Sequence, residues 1–250
     1  MKKESILYGV HPLLEALDAG KTIEKVLMQR GLAPDTTQRL TTALRERQVP
    51  VQTVPKARLD AITTRNHQGV IAYISPVEYY TLEWIVPTIY ERGEVPLILV
   101  LDRITDVRNF GAICRSAECA GVHAVVIPDR GAAQINHDAV KTSAGAVLRL
   151  PICKVRSLRE ALRYLSESGM AVVGVEETGT HTYYQADCTE PLALVMGSEE
   201  DGISLPLRPY VNHSVRIPMR GATESLNVSV AAGIVLFEVL RQRETALARA

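Results

Sequence analysis

Short apolar runs alternate along the chain with stretches whose apolar positions recur every three or four residues. Over the first 75 residues this pattern predicts a helix over 12–19, a strand over 25–28, a helix over 36–47, a strand over 51–54, a helix over 56–62 and a strand over 70–74. Ser75 and Pro76 close this small αβ unit. Residues 77–94 hold Tyr79, Tyr80, the sole tryptophan Trp84, Pro87 and the turn signal Arg92-Gly93-Glu94, and read as a linker with a short amphipathic helix. From Val95 the pattern changes. Strands over 96–101, 124–128, 172–175, 192–196 and 215–218 are nearly continuous in apolar residues, with helical stretches between them. Such strands are buried on both faces, so the expected fold class is α/β with a parallel sheet. The expected domain limits are 1–76, 77–94 and 95–250. In such sheets ligands bind in the loops beyond the strand C-termini.

Composition narrows the function classes. With 46% hydrophobic and 22% charged residues the chain is neither disordered nor a disulfide scaffold. Its 28 Lys+Arg balance 28 Asp+Glu, so a polyanionic partner has to be met by a local patch, for which Arg30, Arg58, Arg65, Arg103 and Arg108 are candidates. Cys114, Cys119, Cys153 and Cys188 have neither metal-site nor framework spacing, which points to free thiols in a reducing compartment. Residues 1–5 carry no apolar signal region, and the apolar stretch 228–240 is broken by Ser229 and Glu238 and too short to span a bilayer. A cytoplasmic protein is expected.

Three loops at strand ends carry polar residues in unusual settings. The first, 102–115, is expected to start a helix near Gly111, with Asn109 at its cap and Arg115 about one turn in. A cation there opposes the helix dipole, so Arg115 either meets an anionic ligand or pairs with Asp102 or Asp106. Cys114 has no adjacent base and reads as structural. The second loop, Met196-Gly197-Ser198-Glu199-Glu200-Asp201-Gly202, sets three acids between glycines. Carboxylates repel phosphate, and no Gly-Lys-Ser/Thr ending follows, which argues against a phosphate cradle. A ligand with hydroxyls or positive charge suits it better, the sulfonium of S-adenosylmethionine or a ribose among them. Glu200 and Asp201 read as simply exposed. The third segment, 215–227, runs into an apolar helix over 228–240 that Ser225 or Thr223 is expected to cap. Asn227 needs a polar partner there. That helix is apolar all round, which implies burial against both the sheet and a second subunit.

These three segments together resemble a family. Asn109-Phe110-Gly111-Ala112-Ile113-Cys114-Arg115, the run 194–204 and the run Ile217-Pro218-Met219-Arg220-Gly221 with Ser225-Leu226-Asn227-Val228 resemble, in order and spacing, the three motifs of the SpoU-type (TrmH-like) RNA ribose 2′-O-methyltransferases of the SPOUT superfamily. Tyr8-Gly9-Val10-His11-Pro12 and His67-Gln68-Gly69-Val70 resemble the N-terminal domain of the ribosomal-RNA guanosine branch, which is similar to the L30e RNA-binding fold. The resemblance implies a parallel sheet with a C-terminal trefoil knot, preceded by the small L30e-like α/β domain. It implies a homodimer formed through the C-terminal domain, and methyl transfer from S-adenosylmethionine to a ribose 2′-hydroxyl, without a metal. The RNA is expected to be 23S ribosomal RNA, with transfer RNA as the alternative.

By the same resemblance Arg115, Asn109, Glu199, Ser225 and Asn227 form the catalytic set, while Met196, Gly197, Gly202, Ile217, Met219 and Leu226 hold the cofactor. Glu200 stands where many relatives have glycine, which raises the question of the backbone conformation there. A guanidinium is permanently charged, so Arg115 is better suited to binding the adjacent phosphate and acidifying the hydroxyl than to serving as a base. Asn227 and Ser225 then orient the oxygen for in-line attack, and Glu199 holds Arg115 or Asn109 in place. A dinucleotide-dependent oxidoreductase lacks its Gly-x-Gly-x-x-Gly. A non-catalytic RNA-binding protein leaves the polar set unexplained.

Overall fold

The computed structural model describes residues 6–249, with the side chains of residues 34–36 outside the description. The N-terminal residues 1–5 read above therefore lie outside the described residues. The chain divides into a unit ending at Glu78 and a second beginning at Tyr79.

The first unit runs β1 (Ile6–Tyr8), α1 (Val10–Asp18), β2 (Ile23–Gln29), α2 (Pro34–Glu46), β3 (Val51–Val54), α3 (Lys56–Ile62) and β4 (Val70–Ile74). Its sheet has the order β1-β4-β2-β3, with β4 antiparallel to both neighbours and β2 parallel to β3. Alternation along β2 and β4 sends Val26, Val70 and Ala72 to a core closed by Leu13, Leu17, Leu40 and Leu44 from α1 and α2. Leu27 and Ile71 face the other way, onto Leu59 of α3.

The second unit begins inside the segment read as a linker. β5 (Tyr79–Tyr80) pairs with a strand of the large sheet, and α4 (Leu82–Glu91) buries Leu82, Ile85, Val86 and Ile89 in that sheet's core. The linker expectation is thereby corrected. The apolar stripe of this helix is a packing surface of the second unit. There follow β6 (Leu97–Leu101), α5 (Val107–Cys119), β7 (Ala124–Pro128), α6 (His137–Thr142), β8 (Ile152–Val155), α7 (Leu158–Glu167), β9 (Ala171–Val175), β10 (His181–Thr182), β11 (Leu192–Met196), β12 (His213–Arg216) and α8 (Val228–Leu247).

All pairings in this eight-stranded sheet are parallel, in the order β10-β12-β9-β11-β6-β7-β8-β5. β6 and β11 are buried at every residue. Ile98, Val100, Ala193 and Val195 face the core under α4 and α7. Leu97, Leu99 and Leu101 alternate to the opposite face and are equally buried. α5 packs against α8. Parallel pairing sets the C-terminal ends of β6, β9, β11 and β12 at one end of the sheet, and all three candidate loops leave from there.

Candidate active site

The ends of β9, β11 and β12 open onto a cavity of about 760 Å³, the size that encloses a small organic ligand. Its wall is formed by residues 175–178 after β9, 196–202 from the end of β11, and 216–221 with 223–226 on the way to α8, completed by Arg208, Val228 and Ala231. Every residue expected to hold the cofactor lines it: Met196, Gly197, Gly202, Ile217, Met219 and Leu226.

The second loop is tightly closed. Ser198 and Gly202 exchange backbone hydrogen bonds of 3.1 and 3.0 Å, and the Ser198 hydroxyl accepts from the Asp201 N–H at 3.2 Å. A Cβ on Gly197 would collide with the carbonyl group of Gly202, so only glycine permits this closure. Gly202 adopts φ +65°, whereas Glu200 is not among the residues of positive φ. This turn therefore does not require glycine at position 200.

The first loop braces the second. Asp102, buried, accepts from the Ser204 N–H at 2.7 Å, and its own N–H donates to the Met196 carbonyl at 2.8 Å. Arg103 sits in the left-handed region at φ +59° and reaches back to donate to Asp201 Oδ2 at 2.8 Å and to the Gly202 carbonyl at 3.0 Å. The Asp201 hydrogen bond raises the Arg103 pKa, keeping it a fixed cation. Thus Asp201 is exposed yet paired, and Arg103 is committed to the loop, not free for phosphates as expected.

Asn109, Glu199 and Asn227 meet in one network. Glu199 Oε1 accepts from Asn109 Nδ2 at 3.0 Å, from Asn227 Nδ2 at 2.8 Å and from the Val228 N–H at 3.4 Å. Asn227 Nδ2 also donates to Asn109 Oδ1 at 3.0 Å. Glu199 lines the cavity, so the network abuts it. Of the partners foreseen for Glu199, Asn109 is the one found.

Both expected helix caps are corrected. Asp106 caps α5, its Oδ1 accepting from the N–H groups of Arg108 and Asn109 at 2.8 Å each, so the helix starts at Val107 and Asn109 lies inside its first turn. Arg115 is then about two turns in, beyond the reach of the dipole at the N-terminus. Asn227 itself caps α8, its Oδ1 accepting from the Ser229 N–H at 2.9 Å, in place of Ser225 or Thr223. Asn227 thus caps with its oxygen and serves the network with its nitrogen.

Ser225 and Thr223 are exposed and line the cavity. Arg115 is exposed, has no hydrogen-bond or ion-pair partner among the described residues, and does not line the cavity of its own chain. Asp102 and Asp106 are engaged elsewhere, so the surface ion pair considered for Arg115 is absent.

The sequence reading missed the opposite wall. Glu176 receives Arg208 Nη2 at 3.3 Å and the Ser214 hydroxyl at 3.3 Å, and Arg216 Nη1 donates to the Gly179 carbonyl at 2.6 Å. The only available signal was Glu176-Glu177 directly after an apolar strand. In total six carboxylates (Glu176, Glu177, Glu199, Glu200, Asp201, Glu224) line the cavity against Arg208, Arg216 and Arg220. That acidic excess, with exposed backbone of two loops, fits a cationic ligand bearing hydroxyls, as S-adenosylmethionine is.

Comparison with known proteins agrees with this geometry. The SpoU rRNA Methylase family matches residues 96–237, and the family of RNA 2′-O ribose methyltransferase substrate-binding domains matches residues 6–80. The chain is similar to the 23S rRNA (guanosine-2′-O-)-methyltransferase RlmB of Yersinia pestis, at 38% identity over 95% of this chain and 97% of that one. Among solved structures it is similar to the SpoU methyltransferase AviRb of Streptomyces viridochromogenes in complex with AdoMet, with a TM-score of 0.62, 26% identity and coverage of 96% and 90%. An AdoMet-bound rRNA methyltransferase from Sinorhizobium meliloti gives a TM-score of 0.61 at 26% identity, with coverage of 94% and 86%.

Proposed function

Because the chain belongs to the SpoU rRNA methylase family, we propose that it transfers a methyl group from S-adenosylmethionine to the ribose 2′-hydroxyl of a guanosine in 23S ribosomal RNA. The observation that carries this is the Asn109–Glu199–Asn227 network standing against a cavity lined by the glycine turn and the segment before α8. Residues 196–202 and 217–226 hold the cofactor, with the surrounding carboxylates favouring its positive charge. When bound, the cofactor supplies an electrophilic methyl on a sulfonium.

The chain's own residues then position the acceptor. Three donors fix Glu199 through Oε1 and leave Oε2 without a protein partner among the described residues, available to a hydroxyl. Ser225, on the cavity wall and without a side-chain partner among the described residues, is a second contact for that oxygen. Arg115 binds the neighbouring phosphate and stabilises the negative charge that develops on the ribose oxygen as its proton passes to Glu199 Oε2; a guanidinium, always protonated, is not the base.

Arg115 lies six residues beyond Asn109, which on a helix is about 9 Å further along and roughly 120° round the axis. That places it away from its own chain's network. The outer face of α8 exposes Val230 and Phe237 at 50% and 49%, an apolar face that a second copy would cover. We therefore propose a two-fold dimer through this region, in which Arg115 serves the partner's cavity. The C-terminal trefoil knot that the family resemblance implies is proposed as well, in keeping with the close backbone passage at Gly179, where a Cβ would strike the main chain of Val215 and Arg216. The four-stranded first unit, matched by substrate-binding domains, is proposed as the L30e-like part that grips RNA. Among the described residues no helix is long and apolar enough to cross a membrane, and the free thiols support a cytoplasmic setting.

The test is transfer from methyl-labelled S-adenosylmethionine to unmodified 23S ribosomal RNA, followed by digestion to nucleosides. Label in 2′-O-methylguanosine is expected. No transfer to any RNA by folded protein sinks the proposal, and label only in transfer RNA changes the substrate.

A further inference from the structure

Away from the cavity the large sheet continues from β6 through β7 and β8 to its edge at β5. Exposed arginines follow the C-terminal ends of the intervening strands: Arg108 after β6, Arg130 after β7 and Arg156 directly after β8. Arg108 and Arg130 have no side-chain partner among the described residues. With strands about 4.8 Å apart, the row steps from the catalytic loop to the sheet edge over roughly 14 Å.

At that edge, past the end of β5, Tyr80 and Trp84 stack with ring centroids 5.4 Å apart and an interplanar angle of 23°. Tyr80 packs back onto the hydrophobic core, while Trp84 is 55% exposed. The indole is thus backed by one ring and open to solvent otherwise. Trp84 is not needed to dock α4, which Leu82, Ile85, Val86 and Ile89 already anchor. On the opposite face of this edge, Lys154 Nζ lies 4.8 Å from the Tyr79 ring centroid. Exposed Glu83, Asp129 and Glu160 offset the local cations, so the edge itself attracts a flat apolar group more than a charge.

We propose that Trp84, backed by Tyr80, is a stacking platform for a base of the RNA flanking the methylated ribose, reached along Arg108 and Arg130. Single-stranded RNA combines the two features this surface complements, a phosphate at each step and a π-face at each base. The inference rests on the RNA-methyltransferase reading above.

Trp84 is the sole tryptophan, so tryptophan emission reports on this position alone. Full-length protein is titrated with a short single-stranded oligoribonucleotide spanning the methylated site, following tryptophan emission and the anisotropy of an end-labelled copy together. Saturable quenching that tracks the anisotropy is expected. Trp84→Ala should weaken binding on the order of tenfold with an unchanged salt slope, as lost stacking does, and Trp84→Phe should recover most of it. Arg130→Gln should lower the salt slope by about one. All three variants should bind S-adenosylmethionine as the unaltered protein does. RNA that binds and is methylated with emission unmoved, or with Trp84→Ala binding unchanged, overturns the inference. Emission that shifts with protein concentration instead of RNA assigns the platform to a second copy and also overturns it. Failure of the unaltered protein both to bind and to methylate RNA overturns the methyltransferase reading, and this inference with it.

Discussion

A single carboxylate oxygen, Glu199 Oε1, joins side chains from the first and third loops, whereas Arg115 has no hydrogen-bond or ion-pair partner among the described residues. Loss of one preorganised charge-stabilising group lowers a rate by on the order of 10²–10³. Arg115→Ala is therefore expected to cut single-turnover methyl transfer by that factor with cofactor affinity near wild type. Arg115→Lys keeps the charge but not the planar fork. Failure to rescue activity marks phosphate binding, and rescue with a new dependence at high pH marks a base. The cysteines take no part in this chemistry. Burial raises the pKa of the Cys114 thiol, pushes that of Cys153 to about 12 and that of Cys188 to about 11. A neutral thiol is a poor nucleophile, so a disulfide reagent should titrate only exposed Cys119 in the native protein and all four thiols in denaturant. More than one fast-reacting native thiol would contradict the burial described.

At the scale of elements, strands such as Ala124–Pro128 and Leu192–Met196 end where the apolar runs end, because burial on both faces leaves an unbroken signal. β5 and β10, two residues each, are too short to carry one, and β8 (Ile152–Val155) is interrupted by Lys154. Helix starts were ambiguous for a chemical reason. Asp106 and Asn109, or Thr223, Ser225 and Asn227, are all competent caps, and tertiary contacts select among them. The candidate loops were legible because glycine turns and strand ends are local; the Glu176, Arg208 and Arg216 wall was not, since it forms only when distant strands align. One element carries a pH signature. His123 Nδ1 accepts from the Leu97 N–H at 3.0 Å and Nε2 donates to Glu94 at 3.0 Å, and burial, chiefly, lowers its pKa below 6.5. With the folded pKa depressed, the folded state binds fewer protons. This stability is complete above about pH 6.5 and is lost as pH falls below it. Urea midpoints measured from pH 8 to 5 should fall less for His123→Gln than for the wild type. Identical slopes would place His123 outside the acid response.

For the whole molecule, the apolar outer face of α8 and the position of Arg115 make the same demand. If Arg115 completes a partner's cavity, then Arg115→Ala and Glu199→Gln homodimers are both inactive, while mixed dimers contain one cavity free of either change. Coexpressed mixtures should regain methyl transfer. No recovery, in dimers shown by mass to be mixed, would place Arg115 and Glu199 in one chain's site. Both outcomes presuppose a dimer, which light scattering at micromolar concentration checks first. The proposed reaction is methylation of a guanosine ribose of 23S ribosomal RNA through the Glu199 network. Its most direct test is a map of ribose 2′-O-methylation across the total RNA of cells lacking the chain. One 23S guanosine should lose its methyl group and regain it with the wild-type chain but not with Glu199→Gln. An unchanged map, or equal restoration by Glu199→Gln, would contradict the account.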